Sequence, residues 1–305
     1  MRHLLTDLDL SAADYSHLLA AAARLKAARK QGIPSTALAG KVVALVFEKP
    51  SLRTRVSFEA GVAQLGGRSL FLPGSEVGLG WRETHADFAR TVCRMVDALV
   101  LRTMSQETID KVAAAATVPV INALSDRWHP CQALADLLTV HEAFGTCEGK
   151  TVVFVGDGNN VAASLAVGCH RVGAKFVLAC PKEYQFDARA LKELAAAGVP
   201  APVTVHDPRA AVATADVIYT DVWTSMGQEA ERDERLRRFA AFQVNADLLA
   251  AAPAHAVVLH CLPAHRGEEI TDEVLDGPRS RVFDQAENRL HVQKAVLGWL
   301  LISSH

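Results

Sequence analysis

Residues 48–59, Glu-Lys-Pro-Ser-Leu-Arg-Thr-Arg-Val-Ser-Phe-Glu, decide the fold of this 305-residue chain. They follow an apolar run at 42–47 that predicts a buried strand. They lead into residues 58–65, which have helical spacing and stop at two glycines. Pro50 fixes the turn, and Ser51 is a typical helix N-cap. The stretch therefore predicts a strand, a tight turn and a helix.

The start of this predicted helix carries groups that suit an anion. Ser51, Arg53 and Thr54 lie where free backbone N–H groups and the positive end of the helix dipole favour negative charge. With Arg55 they place two arginines and two hydroxyls within five residues, a set that suits a phosphate. A Walker loop is excluded, because its Gly-x-x-x-x-Gly-Lys spacing is absent from the stretch. The alternative is a solvated helix start with ordinary capping.

The composition is that of a globular enzyme with room for two domains. Half of the residues are hydrophobic, 22% are charged and the net charge is −2, which predicts neither a nucleic-acid partner nor a membrane surface. No run approaches the roughly 18 apolar residues of a membrane span. The first residues lack the apolar core of a signal peptide. We therefore expect a cytoplasmic protein.

The six cysteines form no Cys-x-x-Cys pair, so we expect free thiols in a reducing compartment. His260 and Cys261, together with His129, Cys131 and His265, raise the alternative of a zinc site. Against it, no ligand spacing recurs, and adjacent His and Cys side chains on an extended backbone should point apart. We expect no metal and no cofactor.

Strands and helices alternate along the chain, which predicts two doubly wound α/β domains with parallel sheets. Residues 149–153, Gly-Lys-Thr-Val-Val, echo Gly-Lys-Val-Val at 40–43, so each domain opens with the same kind of strand. We assign 1–131 plus 288–305 to the first domain and 132–287 to the second, and a helix at 132–144 bridges them.

Polar segments recur directly after predicted strands. They are residues 51–55, Arg102, 129–132, 157–160, 221–227 and 260–263. Ligands of open α/β sheets bind outside the carboxyl ends of the strands, so we expect one active-site cleft between the domains. We expect residues 73–82 to form a Gly-rich loop with Trp81 and Arg82 near its end. We expect residues 231–238 to form a solvated helix face.

Two of these segments suggest particular ligand groups. His129 can hydrogen-bond a carbonyl oxygen, and the amide of Gln132 can hold an –NH2 group. Residues 156–161 invite a dinucleotide interpretation, but Val161 stands where the third glycine of Gly-x-Gly-x-x-Gly belongs. The asparagines at 159–160, at a helix start, instead suit a carboxylate.

The segment at 221–227, Asp-Val-Trp-Thr-Ser-Met-Gly, places an acid and a serine four residues apart on a loop that ends in glycine. Such a loop can cradle an ammonium group. Taken by itself, an ordinary loop is the better interpretation of the pattern.

Six segments, in order, resemble the aspartate/ornithine transcarbamylase family. They are Ser-x-Arg-Thr-Arg at 51–55, His-Pro-x-Gln-x-Leu-x-Asp at 129–136, Gly-Asp-x-x-Asn at 156–160, Asp-x-x-x-Ser-Met-Gly at 221–227, His-Cys-Leu-Pro at 260–263 and Ala-Glu-Asn-Arg at 286–289. The segments at 221–227 and 260–263 are similar to the ornithine branch. The chain departs from the family at Leu52, where threonine is common, and in residues 81–84.

The resemblance implies carbamoyl transfer from carbamoyl phosphate to the δ-amine of L-ornithine, giving L-citrulline and phosphate. It implies a homotrimer or a multiple of trimers. The implied catalytic residues are Arg102, His129 and Cys261. The implied carbamoyl-phosphate residues are Ser51, Leu52, Arg53, Thr54, Arg102, His129, Gln132, Cys261, Leu262 and Arg289. The implied ornithine residues are Asn160, Asp221, Ser225 and Met226.

Three alternatives stand beside this interpretation. A sister carbamoyltransferase would act on N-acetylornithine or putrescine, and the loop 221–227 argues against it. A dehydrogenase of Rossmann type is opposed by Val161. A non-enzymatic anion-binding relative is opposed by the intact set of Arg53, Arg102, His129 and Cys261.

Overall fold

The computed structural model describes residues 2–224 and 229–302, in which strands and helices alternate. The strands are β1 Val42–Phe47, β2 Arg68–Pro73, β3 Ala98–Arg102, β4 Val120–Leu124, β5 Thr151–Val155, β6 Lys175–Ala179, β7 Val203–Val205, β8 Val217–Thr220 and β9 Val257–His260. The helices are α1 Ala12–Lys30, α2 Leu52–Gln64, α3 Gly74–Val77, α4 His85–Val92, α5 Gln106–Ala115, α6 Pro130–Phe144, α7 Asn160–Arg171, α8 Ala188–Ala196, α9 Pro208–Val212, α10 Arg232–Phe239, α11 Ala246–Ala250, α12 Asp272–Leu275 and α13 Val282–Leu301.

The chain separates into two compact units. Unit 1 comprises Met1–Leu138 and Glu287–His305, and unit 2 comprises Thr139–Ala286. Both borders fall inside helices, one within α6 and the other within α13. Among the described residues, no helix is both long and apolar enough to cross a membrane.

Unit 1 is built on a parallel sheet in the order β2-β1-β3-β4. The chain runs from β1 outward to β2 and then returns to the other side of β1, so the strand order reverses between β1 and β3. Leu99 and Leu101 of β3 pack in a buried cluster with Phe88 of α4 and Ile109 of α5. This buried apolar packing supplies the main stabilisation of the sheet.

Unit 2 repeats the plan with a parallel sheet in the order β7-β6-β5-β8-β9. Here the strand order reverses between β5 and β8. Val153, Ile218 and Val258, one from each of three strands, share a buried cluster with Phe239 of α10. The prediction of two parallel-sheet α/β domains is confirmed. In such sheets the point of reversal is where ligands bind, which directs attention to the residues after β1, β3, β5 and β8.

Each sheet is fastened at its amino end by one lysine and one aspartate. In unit 1, Asp97 accepts hydrogen bonds from the Lys41 ammonium (2.9 Å) and from the N–H of Val42 (2.8 Å). In unit 2, Asp216 accepts from the Lys150 ammonium (3.4 Å) and from the N–H of Thr151 (2.9 Å). We call these two pairs the strand-start clamps. They account for the lysine in the two similar segments of the sequence.

The predicted cap is confirmed, because Ser51 caps α2, which begins at Leu52. Two other local predictions need correction. The segment 73–82 is not entirely loop, since α3 lies within it. The segment 231–238 is not only a solvated face, because Arg235 in the middle of α10 is buried.

Candidate functional site

Ser51, Thr54 and Arg289 meet at the start of α2, in unit 1. Ser51 precedes the helix with an extended backbone, and its hydroxyl accepts the N–H of Thr54 (3.3 Å) and contacts the Thr54 hydroxyl oxygen (2.9 Å). Arg289 of α13 donates to the same hydroxyl oxygen at 2.6 Å, across 235 positions of sequence. Thr54 and Arg289 are both buried, so this hydroxyl is held between a helix start and a guanidinium.

Leu52 and Arg53 complete the predicted anion stretch on the outer side of the same turn. Leu52 is the first residue of α2, and its side chain is 73% exposed. A contribution from Leu52 can therefore come from its backbone N–H and not from its side chain. Arg53 is half-buried. The free N–H groups of this first turn and the charge of Arg53 favour an anion beside Ser51.

Arg102 and His129 are also buried in unit 1. Arg102 is the last residue of β3 and pairs in register with Phe47, the last residue of β1, so it lies at the reversal of the strand order. Burial lowers the pKa of His129 well below its ordinary value, and the charges of Arg289 and Arg102 lower it further. The imidazole is therefore neutral near pH 7. A neutral imidazole beside arginines can donate a hydrogen bond to a carbonyl oxygen.

Gln132 follows His129 by three residues on the first turn of α6. Its side chain is buried, and its amide nitrogen donates to Asp136 at 2.8 Å. Cys131, between them, is buried as well, and burial raises the pKa of its thiol to about 12. That thiol is accordingly protonated and behaves as a small apolar group.

In unit 2, Asp221 follows β8 and collects hydrogen bonds from three directions. One carboxylate oxygen accepts the N–H of Val222 (2.8 Å) and the thiol of Cys261 (3.0 Å). The other oxygen accepts the side-chain amide of Asn159 (3.0 Å). Cys261 follows β9, so the loops after three neighbouring strands, β5, β8 and β9, converge on one carboxylate.

Asn159, which the sequence pairs with Asn160 as suited to a carboxylate ligand, bonds a carboxylate of the protein itself. It caps α7, where its side-chain oxygen accepts the N–H groups of Val161 and Ala162, both at 3.0 Å. Because the oxygen faces the helix, the amide nitrogen is left to face Asp221. Asn160, the predicted carboxylate residue, is the first residue of α7 and is half-buried. The sequence signal for this helix cap is the pair of adjacent asparagines at a predicted helix start.

His260 organises the backbone after β9. Its Nδ1 accepts the N–H of Leu262 (2.9 Å), and its Nε2 lies 2.9 Å from a carboxylate oxygen of Glu269. Both His260 and Glu269 are completely buried. Leu262, held this way, has a positive φ of 58°, which is rare outside glycine. Glu269 gave no signal in the sequence, because nothing local connects it to His260.

The expectation that His260 and Cys261 point apart is wrong. One potential ligand atom from each of Asp221, His260 and Cys261 lies within 4.8 Å of the other two. However, both ring nitrogens of His260 already have a partner: Nδ1 has the Leu262 N–H, and Nε2 has Glu269. A metal at this position would have to break one of those contacts. Without a metal, the carboxylate of Asp221 accepts a hydrogen bond from the thiol of Cys261.

Ser225 and Met226 lie outside the described residues. The described part of their loop ends at Thr224 and is held from α10, where Arg235 donates to the carbonyl oxygen of Trp223 (3.0 Å). Arg235 also pairs with Asp157 after β5 (2.7 Å) and with Glu231 (2.9 Å). The buried arginine therefore connects the loop after β5 to the loop after β8.

The two sets of residues have opposite charge and different chemistry. The unit 1 set offers guanidinium groups, a neutral imidazole and hydroxyls, which suit a phosphate and a carbonyl oxygen. The unit 2 set offers a carboxylate, amides and a thiol, which suit an ammonium group.

Both units match models of one protein family. The model described as the carbamoyl-P binding domain of aspartate/ornithine carbamoyltransferase matches residues 2–142, and the model of the Asp/Orn binding domain matches residues 148–300.

Individual relatives are similar over nearly the whole chain. The ornithine carbamoyltransferase of Bacillus subtilis is 52% identical over 303 residues, which cover 98% of this chain and 94% of that protein. The anabolic ornithine carbamoyltransferase of Pyrococcus furiosus is 50% identical over 303 residues, covering 98% and 96%. A solved structure of the Pyrococcus furiosus ornithine carbamoyltransferase superimposes with a TM-score of 0.94 at 49% identity, covering 100% of this chain and 98% of the other.

Proposed function

The chain belongs to the aspartate/ornithine carbamoyltransferase family, and on that premise we propose that it transfers the carbamoyl group of carbamoyl phosphate to the δ-amine of L-ornithine, forming L-citrulline and phosphate. The observation that carries the proposal is that one chain has a buried cationic set in unit 1 and a carboxylate–thiol set in unit 2. The relatives' names supply the identity of the amine substrate.

We propose that unit 1 binds the phosphate through Ser51, Arg53 and Thr54, the N–H of Leu52 and the charge of Arg289. The hydrogen bond from Arg289 to Thr54 supports this grouping. The arginines neutralise the phosphate, so its departure needs no metal ion.

The carbonyl oxygen is proposed to face Arg102, His129 and Thr54. These groups stabilise the negative charge that develops on the oxygen when the amine attacks. The δ-nitrogen forms a bond to the carbamoyl carbon and loses a proton, which the departing phosphate takes up, and the bond from that carbon to the phosphate oxygen breaks. Phosphate leaves with the electron pair. Gln132 and the carbonyl oxygen of Leu262 hold the carbamoyl –NH2 group.

We propose that the ornithine carboxylate binds Asn160 and the N–H of Met226, and that the α-ammonium group binds Asp221 and Ser225. The thiol of Cys261 lies near the δ-amine. The hydrogen bonds of Asn159 and Cys261 to Asp221 support the ammonium site, because they hold the carboxylate in one orientation.

The same premise extends to assembly and location. We propose a homotrimer or a multiple of trimers, located in the cytoplasm and serving arginine biosynthesis. A Pyrococcus furiosus relative named anabolic supports the biosynthetic direction. Trp81, whose side chain is 76% exposed, supports an intermolecular role for residues 73–82. Light scattering of the purified chain tests the assembly, and a monomer that is fully active at high dilution would exclude it.

A citrulline assay tests the proposed reaction. The chain is incubated with carbamoyl phosphate and, in separate reactions, with L-ornithine, N-acetylornithine, putrescine or L-aspartate. We expect citrulline from ornithine and little product from the other amines. Preferred use of N-acetylornithine or putrescine would instead assign the chain to a sister carbamoyltransferase, and no product from any amine would exclude the enzyme.

A further inference from the structure

Gln132 and Asp136 lie one turn apart on α6 and are both buried. The amide nitrogen of Gln132 donates to a carboxylate oxygen of Asp136 at 2.8 Å. An ionised carboxylate can only accept hydrogen bonds, so the opposite orientation of the amide would place two acceptors against each other. Asp136 therefore determines which end of the Gln132 amide faces away from it.

The end that faces away is the oxygen. Oε1 of Gln132 is buried and has no hydrogen-bond partner among the described residues. A buried acceptor without a donor is costly and needs an explanation at a particular site. Nothing in the described part of the protein supplies that donor.

The chain contains a matched pair in which the donor is supplied. On α5, Gln106 donates its amide nitrogen to Asp110, also one turn on, at 2.9 Å. There Oε1 of Gln106 accepts the Ser125 hydroxyl (2.6 Å) and the Asn122 amide (3.1 Å). In both pairs the amide donates to a carboxylate one turn on. Asp110 is exposed whereas Asp136 is buried, and of the two glutamine oxygens only that of Gln106 has a donor among the described residues. The oxygen of Gln132 is thus the one left for a ligand.

We propose that Asp136 is a positioning residue that turns the Gln132 oxygen toward the –NH2 group of the carbamoyl donor. The site thereby selects carbamoyl phosphate over acyl phosphates that have no N–H, such as acetyl phosphate. This inference rests on the proposed function, because it concerns the same site. Acetyl phosphate has nearly the same size and the same phosphate, so discrimination must come from the hydrogen bond. A site built to bond a substrate N–H rejects the analogue without it strongly.

The experiment measures dissociation constants of carbamoyl phosphate, acetyl phosphate and inorganic phosphate for the full-length protein. Selectivity is the ratio of the acetyl phosphate constant to the carbamoyl phosphate constant. In Asp136→Asn the new side chain can donate as well as accept, so the Gln132 amide is free to turn. We expect selectivity to fall about 10- to 100-fold, with the inorganic phosphate constant unchanged. Asp110→Asn, the matched control on α5, should leave the selectivity at the wild-type value.

An exchange of the two groups separates orientation from mere packing. Gln132→Glu alone places two carboxylates together and should also lose selectivity. In the double variant Gln132→Glu with Asp136→Asn, the asparagine amide donates to one carboxylate oxygen, and the other oxygen faces the ligand again. We expect the double variant to recover selectivity to within about tenfold of wild type.

Three outcomes would overturn the inference: unchanged selectivity in Asp136→Asn, an equal loss of all three ligands, or a double variant no better than Gln132→Glu. Citrulline formation by the wild type distinguishes this failure from failure of the function itself. A wild type that makes citrulline while its variants keep their selectivity contradicts only the role of Asp136. A wild type that neither binds carbamoyl phosphate nor makes citrulline contradicts both.

Discussion

Units 1 and 2 use the same frame for opposite chemistry. Each has a parallel sheet whose strand order reverses at its first strand, and each fixes that strand with a lysine–aspartate clamp. The correspondence extends to the backbone, because the N–H groups of Asp97 and Asp216 donate to the carbonyls of Val42 (2.8 Å) and Thr151 (2.9 Å) respectively.

The difference lies in the loops that leave the carboxyl ends of the strands. Unit 1 buries Arg102 and a neutral His129 there and adds Arg289 from α13, whereas unit 2 buries a carboxylate bonded to a thiol and an amide. The sheet fixes where a ligand can bind, and a few loop residues fix its charge. Each variant below tests one side of this contrast.

The largest effect is expected on the cationic side. Arg53→Ala removes charge-assisted hydrogen bonds to the phosphate and should lower kcat/KM by about four decades. Chelation with EDTA should leave the wild-type rate unchanged, since arginines and not a metal balance the phosphate. Arg189→Ala, at an exposed arginine paired with Glu193, is the control for loss of one positive charge. A near-normal rate in Arg53→Ala, or an effect of EDTA, would show that the phosphate is held otherwise.

On the carboxylate side, Asp221→Asn keeps the shape and removes the charge. Loss of a buried charge-assisted bond to the α-ammonium costs about 2–5 kcal/mol, or roughly one and a half to four decades in kcat/KM with ornithine. Calorimetry should show nearly unchanged binding of carbamoyl phosphate. The exposed Asp247→Asn serves as the control. An equal loss of both ligands would contradict the division of labour between the units.

His129→Gln addresses the protonation of the cationic set. We expect kcat to fall about 10²- to 10³-fold, since one donor to the carbonyl oxygen is weakened. The activity should still rise between about pH 6 and 8.5, at the same position on the pH axis as in the wild type. This rise comes from the substrate amine, whose pKa is about 10 when free. The pKa of His129 lies well below its ordinary value, so the imidazole does not titrate in that range. A rise that moves in the variant would mean that His129 titrates.

The smallest effects are expected at the clamps, where the two units agree. Burial tends to raise the pKa of Asp97 and of Asp216, but in each the hydrogen bonds outweigh it and hold the pKa below its ordinary value. A lowered carboxyl pKa adds stability above the unfolded value of about 4 and loses it as pH falls through the folded value. Asp97→Asn and Asp216→Asn should therefore lower the free energy of unfolding at pH 7.

The acid dependence separates these variants from general damage. Both should show a shallower loss of stability between about pH 5 and 3 than the wild type, measured by urea unfolding at several pH values. Asp216 is the more buried of the two and has a third partner in His255 at 3.0 Å, so its variant should show the larger change. A steeper acid dependence in either variant would reverse the assigned sign.

The sequence predicted the sheets well, because buried parallel strands are continuous apolar runs bounded by turn residues. It predicted helix starts unevenly. The Ser51 cap of α2 was predicted, whereas at α9 the cap Asp207 and Pro208 at the first helical position were a signal that went unused.

The site residues also divide into those that local sequence signals could identify and those that only the fold brings to their partners. Arg102 and Asp221 could be named because one ends a strand and the other directly follows a strand. Glu269 and Arg235 could not, because their partners His260, Asp157 and Trp223 are brought to them only by the fold. From its sequence the charged helix α10 looks solvated, but in the fold Arg235 is buried and pairs with the half-buried Asp157.

The return of α13 to unit 1 has a consequence for biosynthesis. A ribosome delivers the chain from its amino end, and domains fold as they emerge. Unit 2 is continuous and ends at Ala286, whereas Lys26 and Thr54 of unit 1 bond Asn288 (2.8 Å) and Arg289 (2.6 Å). A nascent chain that has reached residue 286 thus holds all of unit 2 but lacks the guanidinium that meets Thr54. Translation itself keeps the proposed anion site unfinished until α13 is made.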